Sequence, residues 1–279
     1  MKMGINFDHT NLKDLGILKD KMIWLNNEWI PLAKQCNEKV SVSGIWLSNN
    51  NSIYYFKTVR DTYSLLAELL GEKISRYFGL DTVHYELAKG IGNDGKTLYG
   101  LVSKYMALED HEYQTWERYL TEKDFYKKES VHDLAILRFF EQDFSNEPIV
   151  SQTKAFFVRE LLTNEDDRLI HELLIDEKDQ KHSLGYLVDY APEFRLPHRY
   201  SLFVPFCYRL SLRDFDVVQK IKEDPQFQMY VEKALLLEMK KLLKEVSEEQ
   251  ALQIPLDIAS SLENFLGQSQ SILRMYLKR

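Results

Sequence analysis

The hydrophobic spacing of this chain changes period near residue 105, and that change constrains the fold more than any single motif. Before it, apolar residues fall mostly in short strand-like runs; beyond it they recur at helical spacing. Residues 22–30 (MIWLNNEWI) predict a short hairpin turning at Asn26 and Asn27. Residues 40–47 and 52–59 predict a second hairpin across Ser48-Asn49-Asn50-Asn51, where asparagines suit the turn. A helix is expected over 62–78, with Leu66, Leu69, Leu70, Ile74 and Tyr77 as its apolar residues and Gly79 as its stop. Residues 83–88 and 98–104 predict two strands joined by Gly92-Asn93-Asp94-Gly95. After a seam at 105–110, helices are expected over 130–144, 149–162, 226–246 and 256–277, interrupted by strands at 173–175 and 186–188. The layout is α+β and two-lobed: a strand-rich lobe over 1–106 with one main helix, then a mostly helical lobe over 107–279. A cleft between two lobes is a common place for a ligand.

Composition narrows the function. The 279 residues are 44% hydrophobic and 13% aromatic, enough for a sizeable core. Lys and Arg total 36 against 43 Asp and Glu, so the chain carries a net charge of −7 and repels phosphate backbones on average. The basic run Lys240, Lys241 and Lys244 sits on an otherwise apolar and acidic helix and reads as a solvated face. Direct nucleic-acid binding is therefore not expected. Cys36 and Cys207 are too few for a disulfide framework or zinc cluster, which fits a reducing, cytoplasmic setting. The most apolar stretch, 200–212, contains Arg209 and Pro205 and is too short to span a bilayer. The sequence lacks a Gly-x-Ser-x-Gly elbow, a Walker loop, a Gly-x-Gly-x-x-Gly fingerprint and a His-Glu-x-x-His helix. His171 and His182 do not have metal-site spacing.

Several residues have the chemistry of a phosphate or metal site. Lys57 stands near the end of an expected strand, on the face of Ile53 and Tyr55. It suits a phosphate as a point charge, and equally suits a strand-end lysine whose stem covers apolar surface. Glu68 and Glu72 on the following helix are candidates to orient it. At about 100° per residue, however, Glu68 lies roughly opposite the centre of the Leu66/Leu70/Tyr77 stripe, where a solvated face is expected. In 163–175 (TNEDDRLIHELLI), the run of three acids and an arginine over 165–168 makes a poor core. Asp167 has the chemistry to accept a hydroxyl proton, and Glu172 and the later Asp189 offer hard oxygens for Mg²⁺. Any one of these acids alone also suits a solvated turn.

The order of these segments carries more than each does alone. YYFK, LLAELLGEKISRYFGL, GLVSKYM, NEDDRLIHELLI and GYLVDYAPEF occur in succession, and together they resemble the HipA-like serine/threonine kinases, distant relatives of protein and phosphatidylinositol kinases. The likeness runs from about residue 41 to 194. It implies a bilobal protein-kinase-like fold and an ATP- and Mg²⁺-dependent transfer of the γ-phosphate to a protein Ser or Thr hydroxyl. Lys57 would contact the α- and β-phosphates and Glu68 would pair with it. The segment 41–51, including Ser43 and Gly44, would cover the phosphates. Backbone groups of Ser103, Lys104, Tyr105 and Met106 would hold the adenine edge. Asp167 would be the catalytic acid/base, and Glu172 and Asp189 would bind the metal. The family's loop resembles Asp-Arg-His-x-x-Asn; Asp167-Arg168 match it, while Leu169 replaces its histidine and Glu172 its asparagine. These departures leave a second reading open, a nucleotide-binding pseudokinase or interaction module of the same fold. Members of the family include toxins neutralised by a small DNA-binding antitoxin, so a small antitoxin-like partner is implied as well as a protein substrate; no membrane is.

Overall fold

The structure is a computed structural model, which describes residues 16–17, 22–26, 28–31, 44–59, 62–91, 95–105, 113–124, 133–163, 174–185, 219 and 222–278. In chain order the strands are β1 (Gly16–Ile17), β2 (Ile23–Trp24), β3 (Ile30–Pro31), β4 (Gly44–Asn49), β5 (Ser52–Thr58), β6 (Tyr85–Ile91), β7 (Thr97–Lys104), β8 (Tyr113–Thr115), β9 (Leu174–Asp176), β10 (Ser183–Leu184) and β11 (Leu252–Gln253). The helices are α1 (Thr62–Phe78), α2 (Trp116–Glu122), α3 (Asp133–Asp143), α4 (Pro148–Thr163), α5 (Pro225–Leu235), α6 (Met239–Gln250) and α7 (Leu256–Lys278). The fold is mixed α and β, as the sequence predicts.

The main sheet has the order β2-β6-β7-β5-β4-β3. The β4–β5 hairpin forms as expected, because Asn50 (φ 48°) and Asn51 (φ 61°) both take the left-handed conformation that a tight two-residue turn demands. Residues directly opposed across an antiparallel ladder share a face. Trp46 pairs with Tyr55, Gly44 with Lys57, Tyr55 with Ser103, and Lys57 with Leu101. One face therefore gathers Trp46, Tyr55, Lys57, Leu101 and Ser103. The other face carries Leu47, Phe56, Ala88 and Val102, closed over by Leu25 and Trp29 in a small core of its own.

That second core corrects the hairpin expected over 22–30. Its two halves do not pair with each other: β2 runs parallel to β6 at one edge of the sheet, and β3 runs antiparallel to β4 at the other. Between them Leu25 and Trp29 bury themselves against the sheet, at 1% and 7% exposure. Hydrophobic burial across the face outweighs the local hairpin that the Asn26 turn favours.

Helix α1 has the bounds the sequence predicts, and Gly79 at φ 81° ends it. Its burial does not follow one stripe. Leu65, Leu66, Leu69, Leu70 and Ile74 are buried, and so are Glu68 and Glu72. The reason is that α1 touches β6 on one side and α4 and α6 on others, so few of its directions reach water. Glu72 accepts hydrogen bonds from the Tyr85 N–H (3.0 Å) and faces His84 Nδ1 (2.9 Å) and the Arg76 guanidinium (3.0 Å), which fastens α1 to the start of β6.

In the helical part α4 is the central element, packed against α1, α3, α5, α7 and β10. Its Lys154 is buried and reaches Asp224 at 2.7 Å and Glu141 at 3.4 Å. Asp224 also caps α5, accepting from the N–H groups of Gln226 (2.9 Å) and Phe227 (3.1 Å). The single helix expected over 226–246 is instead α5 and α6, broken after Leu235. Gln270 from α7 donates to the Ala234 and Leu237 carbonyls at 3.0 and 2.8 Å, satisfying groups that a helix end leaves bare. β9 falls where a strand was expected, but its partner β10 lies nearer the turn, and β8 adds an unforeseen third strand on the other side. The expected strand at 186–188 lies outside the described residues.

Gly100 lets β7 approach β5. A Cβ there would fall onto the Lys57 carbonyl oxygen and the Phe56 ring. Gly100→Ala is expected to cost about 2–3 kcal/mol, read from the urea midpoint. Burial acts to raise the Asp224 pKa, but the Lys154 hydrogen bond and the Phe227 and Gln226 N–H groups hold it below the usual aspartate range. The stabilisation is thus present above about pH 4 and lost as pH falls through the lowered value. Asp224→Asn should remove this part of the acid sensitivity in a thermal-unfolding pH series.

Candidate nucleotide site on the sheet face

β5 delivers Lys57 to the sheet face under α1 because SIYYFKT alternates, putting Tyr55 and Lys57 on one side and Phe56 on the other. From α1, Glu68 meets it: Nζ lies 2.5 Å from Oε1, with side-chain exposures of 12% and 5%. These two residues, eleven apart in sequence, form a nearly dehydrated ion pair. A strand lysine and a helix glutamate predicted to pair are thus brought together. The helix-face objection to Glu68 dissolves because α1 is enclosed on several sides.

Gly44 stands opposite Lys57 across the ladder and adds no side chain above the ammonium. Ser103 stands opposite Tyr55 and is buried. Tyr105 N–H donates to the Ile53 carbonyl at 2.8 Å, so that N–H is committed to the sheet. Lys104 is the last residue of β7. Ser43, Met106, Asp167, Glu172 and Asp189 lie outside the described residues.

An aromatic group borders the ion pair. The Trp46 ring is 5.0 Å from Tyr55 and 5.4 Å, edge-on, from Tyr105. Burial pushes the Tyr55 hydroxyl pKa well up, and the nearby Glu68 charge pushes it further. Trp46 and Tyr55 were not among the site residues expected from sequence. The signal was present in the period-two pattern that sets Tyr55 beside Lys57, but an aromatic in a strand reads first as core. An anionic ligand is what such a place suits: a lysine whose direction is fixed by a carboxylate, beside a glycine.

Removing one partner leaves the other charge buried without its counterion. Lys57→Ala and Glu68→Gln are each expected to lose about 3 kcal/mol of stability. The double variant should lose clearly less than the sum, read by urea unfolding as a double-mutant cycle.

No protein-family model matches the chain, and no curated protein sequence does. Among the described residues no helix is long and apolar enough to cross a membrane. Solved structures do match. The Helicobacter pylori proinflammatory kinase CtkA aligns with a TM-score of 0.61 at 13% identity, over 92% of this chain and 98% of that one. A chain of the Shewanella oneidensis MR-1 toxin–antitoxin complex of HipA, HipB and operator DNA aligns with a TM-score of 0.50 at 9% identity, over 83% of this chain and 59% of that one. At such identities the likeness concerns the fold alone. Carrying Lys57 on a sheet strand and Glu68 on the helix that follows, the chain has the mixed α and β fold of these two solved structures.

Proposed function

We propose that this protein is an ATP- and Mg²⁺-dependent kinase that transfers the γ-phosphate to a Ser or Thr hydroxyl of a protein substrate. The observation that carries the proposal is the buried Lys57–Glu68 pair beneath α1, opposite Gly44. A lysine left to cover apolar surface would not hold a buried glutamate 2.5 Å away. The similarity of fold to CtkA, named a kinase, supports the same reading.

In this scheme residues 1–106 supply the phosphate side and residues 107–279 supply the acids. Lys57, oriented by Glu68, binds the α- and β-phosphates, while Ser43 and Gly44 cover them. Because Tyr105 gives its N–H to Ile53, the adenine edge is read from the Tyr105 carbonyl and Met106 onward, with Ser103 and Lys104 shaping the strand behind them. Asp167 accepts the substrate hydroxyl proton as the new O–P bond forms and the bond from the γ-phosphorus to the ADP oxygen breaks. Asp189 and Glu172 would hold Mg²⁺, which supplies positive charge against the phosphate oxygens. A small antitoxin-like protein is proposed as a partner, by analogy with the HipA–HipB complex.

Asp167→Asn and Asp189→Asn should each abolish transfer from γ-labelled ATP, to the chain itself or to added protein, with circular dichroism and unfolding midpoint unchanged. Labelling by both variants at the wild-type rate overturns the mechanism. Leu169 and Glu172 in the loop favour a second reading, a nucleotide-binding pseudokinase. Titration calorimetry with ATP and Mg²⁺, followed by the labelling assay, separates the two: tight binding without transfer selects the pseudokinase.

A further inference from the structure

The ring of His84 lies between carboxylates from two helices. Its Nδ1 is 2.9 Å from Glu72 Oε1 on α1, and its Nε2 is 3.6 Å from Glu249 Oε1 in the last turn of α6. A neutral imidazole donates from one ring nitrogen only and turns a lone pair toward whatever faces the other; the imidazolium presents N–H groups to both carboxylates. Glu72 is buried, and its other oxygen accepts the Tyr85 N–H. His84 itself is 42% exposed, so its proton exchanges with solvent.

Two cations share the cluster. The Arg76 guanidinium is 3.0 Å from the same Glu72 oxygen, and Lys73 binds the other oxygen of Glu249. Two carboxylates are thus already matched by two cations, and direct contact rather than net charge sets the proton affinity of His84. The hydrogen bond to Glu72 raises its pKa above the usual histidine value; burial and Arg76 work against this, and the charges of Glu72 and Glu249 add to the rise. The end of α6 favours a cation as well, since its last turn holds Glu248 and Glu249 and no basic residue. Gln250 sets that end against β6, accepting the Leu87 N–H at 3.2 Å and donating to the Tyr85 carbonyl at 2.8 Å.

We infer that His84 is a proton-operated clasp, which as the imidazolium ties Glu72 of α1 to Glu249 of α6 and as the neutral ring releases α6. Glu68 lies one turn before Glu72 on the same helix, so the clasp bears on the Lys57–Glu68 pair through α1. Nothing in the clasp itself requires a nucleotide. Because the folded pKa is raised, the added stability is fully present below the unfolded value of about 6.5 and is lost as pH rises through the folded one.

The test is a proton-NMR titration of the histidine ring resonances of the full chain, with the His84 signal identified by its loss in His84→Gln. His84 should titrate above the ordinary histidine value of about 6.5, and its midpoint should fall in Glu249→Gln, which leaves the buried Glu72 in place. A wild-type midpoint at or below the ordinary value, or one that Glu249→Gln does not lower, overturns the clasp. Hydrogen exchange read by mass spectrometry then measures the hold on α1, with wild type and variant compared at the same pH so that intrinsic exchange cancels. At about pH 5.5, peptides covering 62–78 should exchange several-fold faster in His84→Gln than in wild type, and at about pH 9 the difference should shrink. An equal difference at both pH values shows packing without proton control and overturns the inference, as does the absence of a difference at the lower pH.

Discussion

The Lys57–Glu68 ion pair is the interaction on which the arrangement of the sheet face depends. Both groups are almost wholly withdrawn from water, and each would be costly there alone. They meet only if β5 keeps its register with β4 and β7 and if α1 lies over that face of the sheet. Gly100 is part of the same requirement, because β7 reaches Lys57's backbone only where no side chain intervenes. An ion pair with these conditions adds little net stability over a hydrophobic substitute, so its worth lies in fixing where a positive charge points.

A comparable device holds the helical part. Lys154 on the central helix α4 meets Asp224, which at the same time closes the first turn of α5. Here every hydrogen-bonding direction of the carboxylate named above serves packing: one salt bridge and two backbone N–H groups. The contrast with the sheet face is informative. Lys154 bridges helix to helix within a filled core, whereas Lys57 stands opposite a glycine, on the face of Tyr55, whose hydroxyl has no hydrogen-bond partner among the described residues. Two buried lysines, similar in exposure, thus have different surroundings, and the surroundings rather than the burial point to chemistry.

Much of the local structure was legible in residue order. Four polar residues between two strand patterns announced the β4–β5 turn, and α1 could be bounded to the residue, since its apolar repeat ends at Gly79. What failed did so for long-range reasons. Residues 22–30 have the composition of a hairpin, but Leu25 and Trp29 gain more from the face of the sheet than from each other's strands. The helix expected over 226–246 breaks because a glutamine more than thirty residues later caps it, and no local pattern encodes that partner.

The sequence by itself determined the order of the elements and placed Lys57 on a strand beside Tyr55, because alternation is a property of the chain alone. It also carried the succession of motifs from which the acids Asp167, Glu172 and Asp189 take their proposed roles. It was misleading about Glu68, whose position on a helical wheel faces away from the apolar stripe. Only the tertiary structure decided that α1 is enclosed by β6, α4 and α6, so that the direction a wheel assigns to solvent points into the protein. Periodicity measures the contrast between two sides of a helix, and it says nothing where neighbours cover most sides.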